Sequence, residues 1–441
     1  MPRLFATLCF LAASTAWPAF AQDRETKVRT DRQAVEEDGY WIYNDLPKAV
    51  AEAKRQGKPL LVTLRCIPCE NCAQLDEKVV ERDPLVRTLL DQFVCVRVVQ
   101  ANGLDLSLFQ FDFDQSWAAF FLNPSDMTIY GRYGTRSHQR ESHDDISIEG
   151  FAAAMKGALA LHDEYPKNKA ALAAKRGKPM EYPVPEEYPS LKGRFTSQLN
   201  YQGNVVQSCM HCHQVGEALR LVHRTANEPI PDEVLFPYPN PKALGLVLDP
   251  KEKAKVKSVT PDSRAAADGF RPGDELVTLE GQPLLSIADV QWVLHNAPAK
   301  GKLAAEVRRG ERTLPLAITL NEGWRKQDDI GWRATSWDLR RMLFGGMKLD
   351  EATPAQRRQA GVADDALALQ VMHVGQFGPH AIAKNAGVQR GDILVSMNGS
   401  TDRRTEGELL AWLAQTTKPK DRIPVTVFRG GRRMNFTIAL Q

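Results

Sequence analysis

The 441-residue chain has little net charge, and after its first 21 residues it has no apolar segment long enough to cross a bilayer. Its 57 lysine and arginine residues nearly balance 54 aspartate and glutamate residues, so the formal charge is +3. This balance gives no indication of binding to nucleic acid or to an anionic membrane. The chain also lacks a Gly-x-Ser-Gly-Gly segment, which argues against a serine protease. The composition, 43% hydrophobic and 25% charged, is that of a globular protein, and the length predicts three or four domains.

The first 21 residues predict export. Arg3 precedes an apolar run that starts at Leu4 and ends at Ala19-Phe20-Ala21, a small-x-small cleavage signal, so the mature chain is expected to begin near Gln22. The alternative is a retained membrane anchor, which the short run disfavours because a spanning helix needs about 20 apolar residues. A periplasmic or other envelope location permits both disulfides and covalent haem.

Composition divides the rest of the chain into a globular N-terminal part, two proline-rich connectors around a short cysteine and histidine segment, and a repeated C-terminal half. The proline-rich composition of the connectors favours extended, solvated chain. The predicted boundaries are 34–164 for the N-terminal domain, 165–204 for the first linker, 205–241 for the cysteine and histidine segment with the second linker, 242–321 for the first repeat domain, and 322–441 for a tryptophan-containing connector with the second.

The repeat is a 13-residue stretch, Gly269–Gly281, that returns as Gly387–Gly399 with six identical positions. An amphipathic helical stretch follows each copy, at Ile287–Leu294 and at Leu409–Leu413. Each then closes with alternating strand patterns around a turn, Arg309-Gly310 in the first and Arg429-Gly430 in the second. The pattern predicts two small β-rich domains, each with one helix.

The Gly-x-x-x-Gly-Asp pattern of this repeat resembles PDZ domains of bacterial envelope proteases. In such domains the backbone N–H groups of one loop bind the C-terminal carboxylate of a partner, which adds as a strand beside the loop. A brace between domains is the alternative role. Between the copies, Trp324, Trp332 and Trp337 are expected to anchor one unit on the next. The resemblance assigns the peptide-binding loops to Leu244, Gly245 and Leu246, and to Phe344, Gly345, Gly346 and Met347.

A thiol motif lies in the N-terminal part. A helical stretch at Leu46–Lys54 precedes a short apolar strand, Leu60–Leu64, and the strand runs directly into Cys66-Ile67-Pro68-Cys69. A cysteine at the start of a helix has its thiolate stabilised by the helix dipole and by free N–H groups. This context resembles the thioredoxin fold, in which Cys66 attacks and Cys69 resolves.

Two features depart from thioredoxin. The stretch Gln115–Ala119 contains no proline where thioredoxins carry a cis-proline, and a third cysteine, Cys72, extends the motif. The three cysteines fit dithiol redox chemistry, a structural disulfide with a spare thiol, or a soft metal ion such as Cu(I). Cys95, inside the apolar strand Phe93–Val99, is predicted to be a core residue.

The segment Cys209-Met210-His211-Cys212-His213 has the spacing of a c-type haem site. Two thiols form thioethers with the haem, and the next residue, His213, ligates the iron. A zinc site or a disulfide is the alternative. The stretch Gln214–Arg224 has helical spacing. Several residues are conceivable as the ligand on the opposite side of the iron: His223, Met210, Met180, His162 and His295.

The chain as a whole resembles bacterial fusions of a thioredoxin-like domain with PDZ domains, some of them predicted to carry selenocysteine. The expected fold is multidomain: an α/β thioredoxin-like domain, a short helical segment with one covalent haem c, and two β-rich PDZ domains. The first hypothesis is an envelope oxidoreductase that moves electrons between the cysteine motif and a protein or small-molecule partner held by the PDZ domains. The alternatives are a non-enzymatic scaffold or chaperone adaptor, and a copper or zinc carrier.

Overall fold

The computed structural model describes residues 16–65, 83–115, 117–137 and 145–441, and its side chains from residue 24 onward except that of residue 85. The helices α1 to α14 span Ala16–Asp38, Leu46–Gln56, Pro84–Leu90, Ile148–Asp163, Lys169–Leu172, Val205–Ser208, Cys212–Thr225, Asp232–Leu235, Arg264–Ala267, Ile287–His295, Ser336–Phe344, Pro354–Gln359, Ile382–Ala386 and Glu406–Thr416. The strands β1 to β16 span Ile42–Tyr43, Leu60–Arg65, Val94–Val98, Trp117–Leu122, Ile129–Tyr133, Leu246–Leu248, Val256–Val259, Glu275–Leu279, Gln282–Pro283, Gly301–Arg309, Arg312–Leu320, Met347–Glu351, Leu369–Val374, Ile393–Met397, Arg422–Arg429 and Arg432–Ala439.

The N-terminal unit (residues 16–225) is built on one mixed sheet. Its described strands lie in the order β1-β3-β2-β4-β5. Strands β1, β3 and β2 are parallel to one another, β4 is antiparallel to β2, and β5 is antiparallel to β4. Every residue of β2 and β4 is buried, because helices and connecting segments cover both faces of the sheet. Cys95 is 3% exposed within β3, so its prediction as a core residue is confirmed.

Helix α2 shows how local sequence sets the elements of this unit. Its N-cap Asp45 accepts the N–H of Lys48 at 3.0 Å, and Pro47 stands in the first turn. The helix ends at Gly57, whose φ of +66° is the left-handed conformation that glycine adopts without strain. The predicted helix from Leu46 is therefore confirmed, two residues longer than the periodicity indicates.

The two proline-rich connectors are packed against the protein, and the prediction of solvated chain was wrong. Leu172, Tyr188 and Leu191 of the first connector are at most 3% exposed and lie in the core of the N-terminal unit. Leu235 and Phe236 of the second are fully buried in the core of the C-terminal part. A few large apolar side chains are enough to dock each segment despite its prolines, because each gains about 1.5–3 kcal/mol on burial.

The first and second β-rich units (residues 241–320 and 336–441) repeat one arrangement. Each closes with a two-residue hairpin, β10–β11 in one and β15–β16 in the other, as predicted. The repeated aspartates explain the shared motif: Asp274 accepts from Arg309 at 2.7 and 2.8 Å, and Asp392 accepts from Arg429 at 2.5 and 2.6 Å. Each buried carboxylate thus fixes the Gly-Asp loop to the arginine that precedes the hairpin turn.

The first β-rich unit packs on the edge strand β5 through the start of α10. Ser286 Oγ donates to the carbonyl of Arg132 at 2.6 Å, and Asp289 Oδ1 accepts the Arg132 N–H at 3.1 Å. Lys175 Nζ lies 3.0 Å from Asp289 Oδ1, with both side chains 1% exposed. Leu285 inserts into the core of the N-terminal unit. These contacts cover the edge of β5, where unpaired strand groups would otherwise meet solvent.

A second junction joins the N-terminal unit to the segment between the β-rich units. Arg333 Nη1 donates to both carboxylate oxygens of Asp112, at 2.5 and 2.6 Å. Thr335 donates to Asp114 through its N–H at 2.9 Å and its hydroxyl at 2.7 Å. Of the predicted tryptophan anchors, Trp324 is 2% exposed and packs in the core of the first β-rich unit, whereas Trp337 is 36% exposed.

Helix α7 confirms the predicted helical segment after the Cys212-His213 pair. Val215 and Ala218 pack in the core of the N-terminal unit. At its other end, Arg224 donates to the carbonyls of Thr417 at 2.6 Å and Gln441 at 3.0 Å in the second β-rich unit. The helix therefore connects these two units. Among the described residues, no helix is long and apolar enough to span a membrane.

Candidate redox site

The carboxyl edge of the N-terminal sheet is the candidate site. The thiol-motif residues Cys66, Cys69 and Cys72 lie outside the described residues, and the last described residue before them is Arg65 at the end of β2. Arg65 Nη2 lies 2.9 Å from Asp31 Oδ1 of α1, and Arg97 Nη1 of the neighbouring strand lies 3.6 Å from the same oxygen. Two buried guanidinium groups therefore lie near the ends of the neighbouring strands β2 and β3, and the thiol motif follows β2 in the sequence.

The Cys209 segment docks on the same edge. Cys209 Sγ lies 3.9 Å from the carbonyl oxygen of Val99, the residue that follows β3. Val99 packs with Val28 of α1 and Val205 of α6 in a small apolar cluster. Because β2 and β3 are parallel, with Leu64 opposite Val98, the ends of both strands face the same way. Tertiary structure thus brings Cys209 to the edge of the sheet where β2 and β3 end.

Asn102 is a positioning residue that the sequence interpretation missed. Its Oδ1 accepts the N–H of Met210 at 2.7 Å, and its Nδ2 donates to the carbonyls of Thr196 at 2.7 Å and Ser208 at 3.0 Å. The backbone of Ala101 also donates to the Met210 carbonyl at 2.9 Å. These bonds hold the cysteine and histidine segment at a fixed register on the sheet. The available signal was a polar residue shortly after an apolar strand, which is common in loops.

The two thiols of this segment are free, and that of Cys209 is shielded from water. Cys209 is 6% exposed, and neither it nor Cys212 forms a disulfide. Burial raises the pKa of the Cys209 thiol to about 12 and that of the Cys212 thiol to about 12. Cys212 begins α7, yet desolvation outweighs the favourable helix dipole. At neutral pH both side chains are therefore neutral thiols with little nucleophilic character.

The histidines of the segment stack on each other. The rings of His211 and His213 are 5.6 Å apart and within 11° of parallel. Burial, with the neighbouring His213, lowers the pKa of His211 to about 4, so this side chain is neutral at physiological pH. His213 Nδ1 lies 3.2 Å from Glu217 Oε1. Since a carboxylate accepts, Nδ1 carries a proton in this contact, and Nε2 is the ring nitrogen that Glu217 does not occupy.

The donor set of this segment fits a c-type haem. Two free thiols stand three residues apart, and the imidazole of the adjacent His213 is oriented by a carboxylate in the way that metal-ligating histidines usually are. Cys209 itself is 6% exposed, with its Sγ 3.9 Å from the Val99 carbonyl.

The structure separates the candidates for the opposite iron ligand. His162 contacts the carbonyl of Gly57 at 3.3 Å, at the amino end of β2, and β2 is roughly 20 Å long. His295 is stacked under Tyr238 at 4.0 Å in the first β-rich unit. His223 is ten residues along α7 from His213, about 15 Å. The two methionines, Met180 and Met210, pack in the same core cluster as Cys212.

The predicted peptide-binding loops lie one in each β-rich unit. In the first, Gly245 has φ +86° and donates its N–H to the Lys242 carbonyl at 2.9 Å, between Leu244 and Leu246. A Cβ at Gly245 would lie 2.2 Å from that of Ser263, so only glycine fits. In the second, Gly345 and Gly346 both donate to the Arg340 carbonyl, between Phe344 and Met347.

Family models match two parts of the chain. Residues 41–124 match the model described as thioredoxin-like, and residues 241–320 match the PDZ domain model. The first match covers the described strands β1 to β4 of the N-terminal unit, and the second covers the first β-rich unit. The expectations of a thioredoxin-like fold and of a PDZ fold are confirmed for these residues.

Curated relatives and solved structures are similar to parts of the chain. The probable periplasmic serine endoprotease DegP-like of Halomonas elongata is 25% identical over 197 residues, which cover 44% of this chain and 38% of that protein. The protein of the same name from Pseudomonas savastanoi pv. phaseolicola is 26% identical over 194 residues, with the same two shares. The chain thus spans less than half the length of these relatives.

Among solved structures, the PDZ domain of EpsC from Vibrio cholerae is 21% identical, with a TM-score of 0.16, and covers 22% of this chain and 98% of that chain. A thioredoxin from Thermus thermophilus is 19% identical, with a TM-score of 0.23, and covers 30% and 95%. From the family matches, the chain is a multidomain protein that contains a thioredoxin-like domain and PDZ-like β domains.

Proposed function

We propose that the protein is an exported thiol redox protein in which the cysteine motif after Arg65 works together with a c-type haem held by Cys209, Cys212 and His213. The observation that carries the proposal is the contact of Cys209 Sγ with the Val99 carbonyl at 3.9 Å. The relatives' names place them in the periplasm, and we propose the same location for this chain.

The spacing of the strands supports transfer between the two motifs. Neighbouring strands lie about 4.8 Å apart, and Leu64 of β2 is opposite Val98 of β3, so the ends of the two strands lie side by side. Arg65 ends β2 and precedes Cys66 in the sequence, and Val99 follows β3. Oxidation of the dithiol to a disulfide would release two electrons and two protons, so a one-electron haem would have to pass the first electron to an external acceptor before it takes the second.

Cys209 and Cys212 would hold the haem through thioethers, and His213 would ligate its iron through Nε2. When bound, the haem supplies a centre that takes up and releases one electron. Glu217 fixes the ring and tautomer of His213 through the 3.2 Å contact at Nδ1.

Both β-rich units are proposed as PDZ domains, the second because it repeats the Asp392 and Arg429 arrangement of the first. In this proposal their role is to hold the redox partner.

An absorption spectrum with a pyridine haemochrome assay tests the haem. Full-length protein expressed in a periplasm that matures c-type cytochromes is expected to carry one covalent haem. Cys209→Ser and His213→Ala should abolish the c-type spectrum, and Cys95→Ser, which changes a buried core thiol in the same unit, should leave it intact. Protein without covalent haem under these conditions refutes this part of the proposal.

Disulfide-reductase activity tests the thiol motif. Cys66→Ser should remove reduction of a disulfide substrate, since the attacking thiolate is lost, whereas Cys95→Ser should retain it. Full activity in Cys66→Ser would refute the oxidoreductase and favour the scaffold or the metal carrier. Copper analysis of Cys72→Ser protein then separates those two.

A further inference from the structure

The outer edge of strand β12 is covered by a side chain. This strand is at the end of the described sheet of the second β-rich unit, in the order β12-β13-β14-β15-β16. Leu349, which is opposite Val371 of β13, donates its N–H to Glu406 Oε1 at 2.7 Å. Glu406 is the first residue of α14. Its side chain thus crosses the groove between helix and strand where a further strand would add.

A buried arginine completes the site. Arg340 of α11 donates to Glu406 through Nε at 3.0 Å and through Nη2 at 2.5 Å, one bond to each oxygen. The Arg340 side chain is 1% exposed and that of Glu406 is 10% exposed. A carboxylate held by a guanidinium fork and by the N–H of an edge strand has the contacts that bind a peptide carboxylate.

The glycine loop beside this site is already engaged. Gly345 and Gly346 cap the end of α11 because both donate their N–H groups to the carbonyl of Arg340. The Gly346 bond is 2.8 Å long. A Cβ at Gly346 would lie 1.9 Å from the His380 carbonyl, so the loop is also tightly packed from outside. A partner's carboxylate cannot bind these N–H groups without uncapping the helix.

An exposed apolar side chain lies beside the buried pair. Trp337, which is 36% exposed, lies against the Arg340 guanidinium, 4.8 Å from ring centre to Cζ. It also meets His373, which is opposite Lys348 of β12, edge to face at 5.7 Å. An exposed aromatic ring next to a guanidinium is a contact that a peptide side chain can use.

From these contacts we infer that Glu406 is an internal ligand, and that an extended peptide with a free C-terminal carboxylate binds by replacing it on Arg340 and on the Leu349 N–H. The peptide body pairs with β12 beyond Leu349, where Asp350 and Glu351 are exposed. It must end at Arg340, because the capped glycine loop blocks further extension. This inference deepens the proposed role of the second PDZ domain and is independent of the thiol and haem chemistry.

Peptide binding to the full chain tests the inference. The probe is a fluorescein-labelled pool of peptides with five randomised C-terminal residues, read by fluorescence anisotropy. Glu406→Gln keeps an acceptor for the Leu349 N–H but removes the charge from Arg340, so the pool should bind about tenfold tighter than to the wild type. Glu408→Gln is the matched control. It changes the same charge two residues away, keeps the capping box with Thr405, and should not alter affinity.

Two further arms keep the inference falsifiable. An amidated pool should not respond to Glu406→Gln, and an amidated pool enriched in internal aspartate and glutamate should not either. Hydrogen exchange of the Leu349 amide should be faster in Glu406→Gln and slow again on adding the free-carboxylate pool. The inference is overturned if wild type and Glu406→Gln, both folded by circular dichroism, bind the free-carboxylate pool with equal affinity. It is also overturned if the amidated pools bind Glu406→Gln as well as the free-carboxylate pool does. Neither result bears on the haemochrome or reductase assays.

Discussion

Leu285 holds the first β-rich unit on the N-terminal unit. Its contacts predict that Gly157→Ala lowers the free energy of unfolding when Leu285 is present and raises it in Leu285→Ala. Its side chain is 3% exposed and lies in the core of the N-terminal unit, against helix α4. A Cβ built on Gly157 of α4 would lie 2.6 Å from Leu285 Cδ2, and the nearest atom of another residue is Lys253 Cδ at 3.6 Å. Leu285 is therefore the residue that prevents a larger side chain at position 157.

The expected free energies follow from these contacts. Leu285→Ala removes a buried leucine side chain and should lower the free energy of unfolding by about 2–5 kcal/mol. Gly157→Ala should gain roughly 0.5–1 kcal/mol from helix propensity and lose about 1–3 kcal/mol from the collision, so it destabilises the wild type. In Leu285→Ala the collision is absent, and the same substitution should stabilise by roughly 0.5–1 kcal/mol.

Urea unfolding of the four proteins, followed by tryptophan fluorescence, measures the cycle. The coupling energy is expected at about 1–3 kcal/mol. Gly407→Ala is the control in another helix, because its Cβ would make an ordinary contact, 3.4 Å from Ile330 Cγ1, and should act equally in both backgrounds. If Gly157→Ala changes stability by the same amount with and without Leu285, the docking described for this junction is incorrect.

Two further predictions concern titration. Burial raises the pKa of Asp328 to about 7 from 3.8, so the folded protein binds this proton more tightly than the unfolded chain and stability falls as pH rises through this window, by up to about 4 kcal/mol from this group. Asp328→Asn should flatten the decline measured by urea unfolding between pH 4 and pH 8, and an unchanged slope would contradict the assignment. In haem-free protein at pH 8, Cys209 and Cys212, with pKa values of about 12, should react with iodoacetamide about 1000-fold more slowly than an ordinary thiol. Rapid labelling of either in the native protein, read by peptide mass spectrometry, would show that the segment is not docked.

Local sequence determines much of this protein. Asp45 and Gly57 set the ends of α2, and the alternating strands around the Gly310 and Gly430 turns form the predicted hairpins. The chemistry of the Cys209 segment is likewise a property of residue type and spacing. These features depend on neighbours within a few residues, so periodicity and turn preferences are sufficient to predict them.

Only the tertiary structure decided which segments meet. Arg333 and Asp112 are 221 residues apart, and nothing in the local pattern of either residue indicates the other. Composition predicted solvated connectors, but the burial of Tyr188 and Phe236 depends on surfaces that other segments supply. Cys209 reaches Val99 for the same reason, because α1, α6 and Asn102 together fix its position. Amino-acid order thus set the elements and the reactive groups, while long-range packing, which sums over distant residues, placed the Cys209 segment at the edge of the sheet where β2 and β3 end.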